Sequence, residues 1–131
     1  RQDPASPYSG VISIFDRRYR DGKSVTIYGD GRQTRDFISV HDVARANLIA
    51  ATQTGLTSGA ANICTGRAPS LLEVVGFFRR HYPQIAPPTH GAPRAGDIIH
   101  SRGTPDLAAE ALGFRAEVGV EAGLQELIRT G

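Results

Sequence analysis

The 131-residue sequence contains no methionine, one cysteine (Cys64) and one lysine (Lys23), and no long apolar run. Each absence excludes something. A chain without methionine that begins at Arg1 does not start at an intact initiation codon, so it is expected to be processed or to be a piece of something longer. A lone cysteine forms no internal disulfide and is too little for a metal cluster, which fits a reducing cytoplasm. No segment approaches the roughly 20 apolar residues needed to cross a bilayer, and no basic, then apolar, leader opens the chain. A soluble, unexported protein is expected, with no membrane partner.

What is present is ordinary in bulk: 40% hydrophobic and 21% charged residues, with a net charge of +2. These suit one modest globular domain. Beside Lys23 every basic side chain is arginine, and planar guanidinium forks suit phosphate and carboxylate ligands. Abundant alanine and glycine leave genomic base composition as the other source of that bias. Arg17-Arg18 and Arg79-Arg80 fall on separate expected helices and form no stripe, which argues against nucleic acid.

Helical spacing of Tyr8, Val11, Ile12, Phe15 and Tyr19 predicts a first helix stopped by Gly22. A strand is expected at 25–28, a turn at Gly29-Asp30-Gly31, and a second extended run over 35–40. A helix over 42–52 has so thin a polar face that burial on more than one side is expected. A strand is read at 61–64. Ser70 and Glu73 form a capping box ahead of a helix carrying Leu71, Val74, Val75, Phe78 and Tyr82 inward. The proline-rich stretch 83–93 reads as loop, and 97–101 as extended. Thr104 and Pro105 are expected to cap and open a short helix closed by Gly113, and a last helix covers 120–129. The order lacks the regular strand–helix alternation of a complete doubly wound sheet.

Two motifs mislead. Gly29-Asp30-Gly31 opens like a dinucleotide fingerprint, but Thr34 stands where a third glycine belongs and a strand follows. Tyr19 and Lys23 have the Tyr-x-x-x-Lys spacing of a tyrosine acid/base beside a lysine, yet Gly22 breaks the helix between them. His41, His81, His90 and His100 show no ligand spacing, so neither a metal site nor a catalytic residue is assigned. Three segments do suit a nucleotide diphosphate. These are Arg35 within Arg32–Phe37, Arg94-Ala95-Gly96-Asp97 with its guanidinium and carboxylate around a glycine, and Tyr28 at a strand end. Each alone also fits a loop ion pair.

An ordered series of residues then resembles a known family. It comprises Ser6-Pro7-Tyr8-Ser9-Gly10-Val11-Ile12-Ser13, Thr26-Ile27-Tyr28-Gly29-Asp30-Gly31, Gln33-Thr34-Arg35-Asp36-Phe37 and Asp42-Val43-Ala44. Asn62-Ile63, Thr65-Gly66, Arg94-x-Gly96-Asp97-Ile98, Ala111-Leu112-Gly113-Phe114 and Gly123-Leu124 follow in order. This looks like the second half of extended short-chain dehydrogenase/reductases, the NAD-dependent epimerases and dehydratases, nearest the UDP-glucose 4-epimerases. The resemblance implies an incomplete mixed α/β fold: residues 1–131 as a C-terminal, nucleotide-sugar-binding part without the NAD-binding Rossmann core.

It also implies site roles. Arg35 and Arg94 would hold the diphosphate of UDP or a UDP-sugar, and Asp97, beside Gly96, would reach the ribose. Thr26, Ile27 and Tyr28 would flank the uracil with Tyr28 stacking on it, and Ser9, Gly10 and Val11 would lie near the sugar. NAD would belong to the parent enzyme, with no cofactor bound by this chain and no activity alone. A 4,6-dehydratase, a UDP-glucuronate decarboxylase or a non-catalytic nucleotide-sugar-binding module stays open. The apolar helix over 42–52 would then need a cover, either a second copy or an NAD-binding half.

Overall fold

The computed structural model describes residues 10–56 and 59–130. In chain order they form α1 (Val11–Arg20), β1 (Thr26–Tyr28), β2 (Thr34–Arg35), α2 (Val40–Thr52), α3 (Leu71–His81), β3 (Thr89–Gly91), β4 (His100–Ser101), α4 (Asp106–Leu112) and α5 (Val120–Thr130). The class is mixed α/β as expected, with two separate parallel pairs, β1–β3 and β2–β4. Two compact units alternate along the chain. The first holds 10–33 and 70–99, the second 34–56, 59–69 and 100–129.

In the first unit, α1 carries Phe15 and Tyr19 on one face because residues four apart are neighbours on a helix surface. The Tyr19 ring stacks on Phe78 of α3 at 5.2 Å and on Tyr82 at 5.7 Å. Phe15, Tyr19 and Phe78 with Val25, Ile27, Val74, Val75 and Phe77 form the buried core, and Tyr82 is half-buried beside them. Truncating a core aromatic such as Phe78 to alanine typically costs about 3–5 kcal/mol. The helix ends as a glycine-closed C-terminus should: Gly22 has φ +70° and the Lys23 N–H bonds back to the Arg18 carbonyl at 2.8 Å.

The start of α3 leaves few backbone donors unpaired. The Glu73 N–H donates to Ser70 Oγ at 3.2 Å and the Ser70 N–H to Glu73 Oε2 at 2.7 Å, the expected capping box. The Leu71 and Leu72 N–H groups donate to the carbonyls of Gln33 and Gly31, both at 3.1 Å. The Gly29–Gln33 turn is therefore fastened to a helix end. β1 and β3 pair in register Thr26↔Thr89, Ile27↔His90 and Tyr28↔Gly91.

In the second unit, Ala46 of α2, Ala108 of α4 and Phe114 are buried together, with Ile49, Ala61, Ile63 and Leu112 packed against them. Two carboxylates organise the loops. Asp36 accepts from the Thr65 N–H (2.9 Å), the Thr65 hydroxyl (2.6 Å) and the Gly66 N–H (2.9 Å). Asp42, only 2% exposed, accepts from Arg45 Nη2 and from the N–H groups of Glu117 and Val118. The Arg45 guanidinium also lies 4.6 Å from the Phe114 ring centroid.

Several expectations need correction. The extended run over 35–40 contracts to β2 (Thr34–Arg35), because the Asp36 side chain turns to the 65–66 loop and Ser39 already caps α2, accepting from the His41 N–H. That helix starts at Val40, two residues early. Only Asp42 and Ala46 of it are buried, while Val40 is 73% and Leu48 63% exposed, so within this chain it is covered on one side. Residues 61–64 form no strand; Ala61 and Ile63 serve as packing against Phe114. The proline-rich loop contains β3. The 97–101 stretch reduces to β4 (His100–Ser101). α4 begins at Asp106 with Pro105 at its cap, and the Thr104 hydroxyl bonds the Asp106 carboxylate at 2.8 Å instead of capping. Gly113 closes α4 in the left-handed conformation, as expected.

Candidate functional site

Tyr28 ends β1 at the edge of the first unit and is 41% exposed. Its carbonyl accepts the Gln33 side-chain amide at 2.9 Å, and the next residue's N–H, Gly29, donates to the Gly91 carbonyl at 3.0 Å. The ring lies against β3 where Gly91 has no side chain; a Cβ there would sit 3.1 Å from Cδ1 of the ring. The Arg94 guanidinium lies over the ring, 4.0 Å from its centroid, a cation–π distance. Three residues on, the Asp97 N–H closes a turn onto the Arg94 carbonyl at 3.2 Å through Gly96, whose φ is +78°. An aromatic plane, a guanidinium and a carboxylate-bearing turn thus meet at one end of the β1–β3 pair.

Alternation along β1 sorts the other strand residues. Thr26 faces outward with Tyr28, its hydroxyl 3.0 Å from that of Thr89. Ile27 points the other way and is 1% exposed, so of the residues expected beside a base it has only main chain to offer. Gly10 is the N-cap of α1, its carbonyl accepting the Ser13 N–H at 3.1 Å, and Val11 is the first helical residue. Ser9 lies outside the described residues. Arg35 belongs to the second unit, where its Nη1 donates to the Thr34 carbonyl at 2.8 Å and its N–H to the Pro69 carbonyl at 3.2 Å.

A family model described as the NAD dependent epimerase/dehydratase family matches residues 1–64. The dTDP-L-rhamnose 4-epimerase of Burkholderia thailandensis is 31% identical over 126 residues, covering 96% of this chain and 35% of that protein. A putative UDP-glucose 4-epimerase of Methanocaldococcus jannaschii is 35% identical over 129 residues, covering 98% of this chain and 40% of its own length. The structure of Thermotoga maritima UDP-glucose 4-epimerase with UDP-glucose superimposes with a TM-score of 0.89 at 34% identity, over 98% of this chain and 41% of that one. The chain belongs to the NAD-dependent epimerase/dehydratase family. It spans 35–41% of the length of these relatives.

The family's nicotinamide cofactor does not fit the glycine turn this chain offers. A pyrophosphate needs a helix N-terminus with free N–H groups. The Gly29–Gly31 turn leads into β2, and the helix it touches, α3, already spends those donors on Gln33, Gly31 and Ser70. The Tyr19–Lys23 pair is no epimerase acid/base either. Tyr19 is sealed in the core with its hydroxyl unpartnered and burial pushing its pKa up, while Lys23 follows the helix end. Among the described residues no group of three or more His, Cys, Asp or Glu is placed to hold a metal, and no helix is long and apolar enough to cross a membrane.

Sequence reasoning missed Gln33, Thr89 and Gly91 as parts of the Tyr28 environment. Gln33 stands in the resembling series between two arginines, but its bond to the Tyr28 carbonyl has no sequence signal. Thr89 and Gly91 were hidden in a proline-rich stretch, where their alternate spacing was the one available signal.

Proposed function

We propose that this chain supplies the nucleotide-sugar-binding part, residues 1–131, of an NAD-dependent nucleotide-sugar 4-epimerase, with a UDP-sugar as ligand and no catalytic base of its own. The observation that carries the reading is the Arg94 guanidinium held at the Tyr28 ring, 4.0 Å away, beside the Gly96–Asp97 turn. A pyrimidine base asks for the flat ring, a diphosphate for the guanidinium, and ribose hydroxyls for a carboxylate. The relatives support this, being named for UDP-glucose and dTDP-L-rhamnose, both pyrimidine nucleoside diphosphate sugars. Thr26 and the main chain at Ile27 border the base in this reading, and Gly10 and Val11 the sugar. Arg35 is assigned to phosphate on its chemistry and is tested separately. NAD and the catalytic groups belong to another part of the parent enzyme. A reducing, cytoplasmic setting agrees with the free, buried Cys64.

Titration calorimetry of the chain with UDP, UDP-glucose and NAD tests the reading. UDP and UDP-glucose are expected to bind and NAD to bind more weakly or not at all. NAD binding tighter than UDP overturns it. Arg35→Ala is expected to weaken UDP roughly tenfold or more, the effect of removing a charged partner of phosphate.

A further inference from the structure

In this structure two groups that a nucleotide would use are using each other. The Arg94 guanidinium covers the Tyr28 ring at 4.0 Å. The ring has little freedom to retreat. Its flank rests against β3 at Gly91, its carbonyl is tied to Gln33 at 2.9 Å, and the adjoining Gly29 N–H is tied to the Gly91 carbonyl at 3.0 Å. Arg94 sits instead in an exposed turn after β3, held there through its backbone carbonyl by the Asp97 N–H. Of the two partners, the arginine side chain is the one free to leave.

We propose that Arg94 is an exchangeable cover on Tyr28, displaced by a pyrimidine nucleoside diphosphate in a single swap. The base takes the ring and the diphosphate takes the guanidinium. This rests on the function proposed above and adds a consequence that simple site chemistry lacks. Toward a ligand with a base and no phosphate, Arg94 is a competitor. Toward a ligand with both, it is a partner. Uncovering the ring and pairing the guanidinium occur together only for the complete nucleotide, so the swap discriminates against free nucleosides.

The experiment compares uridine and UDP on the wild-type chain, Arg94→Ala, Tyr28→Leu and the double variant, with affinities from ligand-observed and protein-observed NMR titrations. An exposed cation–π contact is worth about a two- to fivefold change in affinity. Arg94→Ala is therefore expected to tighten uridine by about that factor. The same variant is expected to weaken UDP roughly tenfold to a hundredfold, the effect of losing a charged phosphate partner. In the Tyr28→Leu background the tightening of uridine should vanish, because no ring remains to uncover. Circular dichroism of the four proteins verifies that they fold alike. Uridine weakened or unchanged by Arg94→Ala, with UDP still bound by the wild type, overturns the swap and leaves the nucleotide-binding reading standing. Failure of the wild type to bind UDP overturns both.

Discussion

The Gln33 amide and the Tyr28 carbonyl are joined at 2.9 Å by a side chain only 7% exposed. Gln33 also presents its own carbonyl to the Leu71 N–H, so one residue couples the end of β1 to the start of α3. Gln33→Leu keeps the volume and removes the donor, leaving the Tyr28 carbonyl without that partner. An expected loss of about 1–3 kcal/mol of stability follows for a buried group left unpaired. Urea unfolding checks it, and an unchanged midpoint would show that water replaces the amide.

Asp42 makes stability depend on acid. Burial pushes its carboxyl pKa up, but the Val118 N–H, the Arg45 guanidinium and the Glu117 N–H together hold it below the ordinary value. A carboxylate whose pKa is lower folded than unfolded adds stability that is fully present above the unfolded value, about 3.9. That contribution is lost as pH falls through the depressed folded value. Asp42→Asn is expected to cost about 1.5–3 kcal/mol at neutral pH, the worth of hydrogen bonds to a charged group. The gap to wild type should narrow below about pH 4. Chemical unfolding at several pH values measures the gap, and one that stays constant on acidification would count against this account.

Cys64 and Gly103 are packed with no spare room: a Cβ at Gly103 would lie 2.6 Å from Cys64 Sγ. Gly103→Ala should destabilise the second unit by about 1–3 kcal/mol, the usual penalty for overpacking. Adding Cys64→Ala removes the sulfur and should restore part of the loss. Burial, then the nearby Asp36 charge, pushes the Cys64 thiol pKa up. The folded chain should therefore react with thiol reagents far more slowly than the unfolded chain; equal rates would contradict the packing.

α2 leaves Val40 73% and Leu48 63% exposed, and Leu107 of α4 is 51% exposed. Exposed apolar patches favour association. Self-association of the chain, or cover by an NAD-binding half, is our proposal for this surface. Sedimentation at several concentrations should show a dimer or larger species that Leu48→Glu dissociates. Ile49, partly buried against the Phe114 cluster, is unsuitable as a probe because its change would damage the core. A wild-type monomer at high concentration would remove self-association as the explanation.

Helices with strong periodic faces or explicit caps were legible in the sequence. Phe15 and Tyr19 announced α1, Ser70 and Glu73 the start of α3, and Gly113 the end of α4. Of the strands only β1 was legible, in the β-branched and aromatic run over 25–28. β2 and β4 are two residues each and β3 lies in a proline-rich stretch, so no period of two registers there, and each exists only because a partner far along the chain completes it. The same reason hid half of the site. Tyr28, Arg94 and Asp97 stand out by residue type, whereas Gly91 and Thr89 matter only through their register with β1. The thin polar face of α2 marks an apolar helix, of which this chain buries only Asp42 and Ala46, since hydrophobicity states a need for cover without naming what supplies it.

Both strand pairs join residues that are distant in the chain, 26–28 with 89–91 and 34–35 with 100–101. A chain emerging from the ribosome therefore cannot close the first pair until residue 91 is made, nor the second until residue 101. Until then Ile27, destined for the core, has no neighbouring strand, and long-range parallel pairing is intrinsically slow. The residues of α1 and α2 emerge long before either pair closes, and α1 lacks its α3 packing partner until residue 81 is made, so the nascent chain waits with unpaired strand segments and uncovered apolar faces. That interval is when it is most open to capture by chaperones or by another copy of itself.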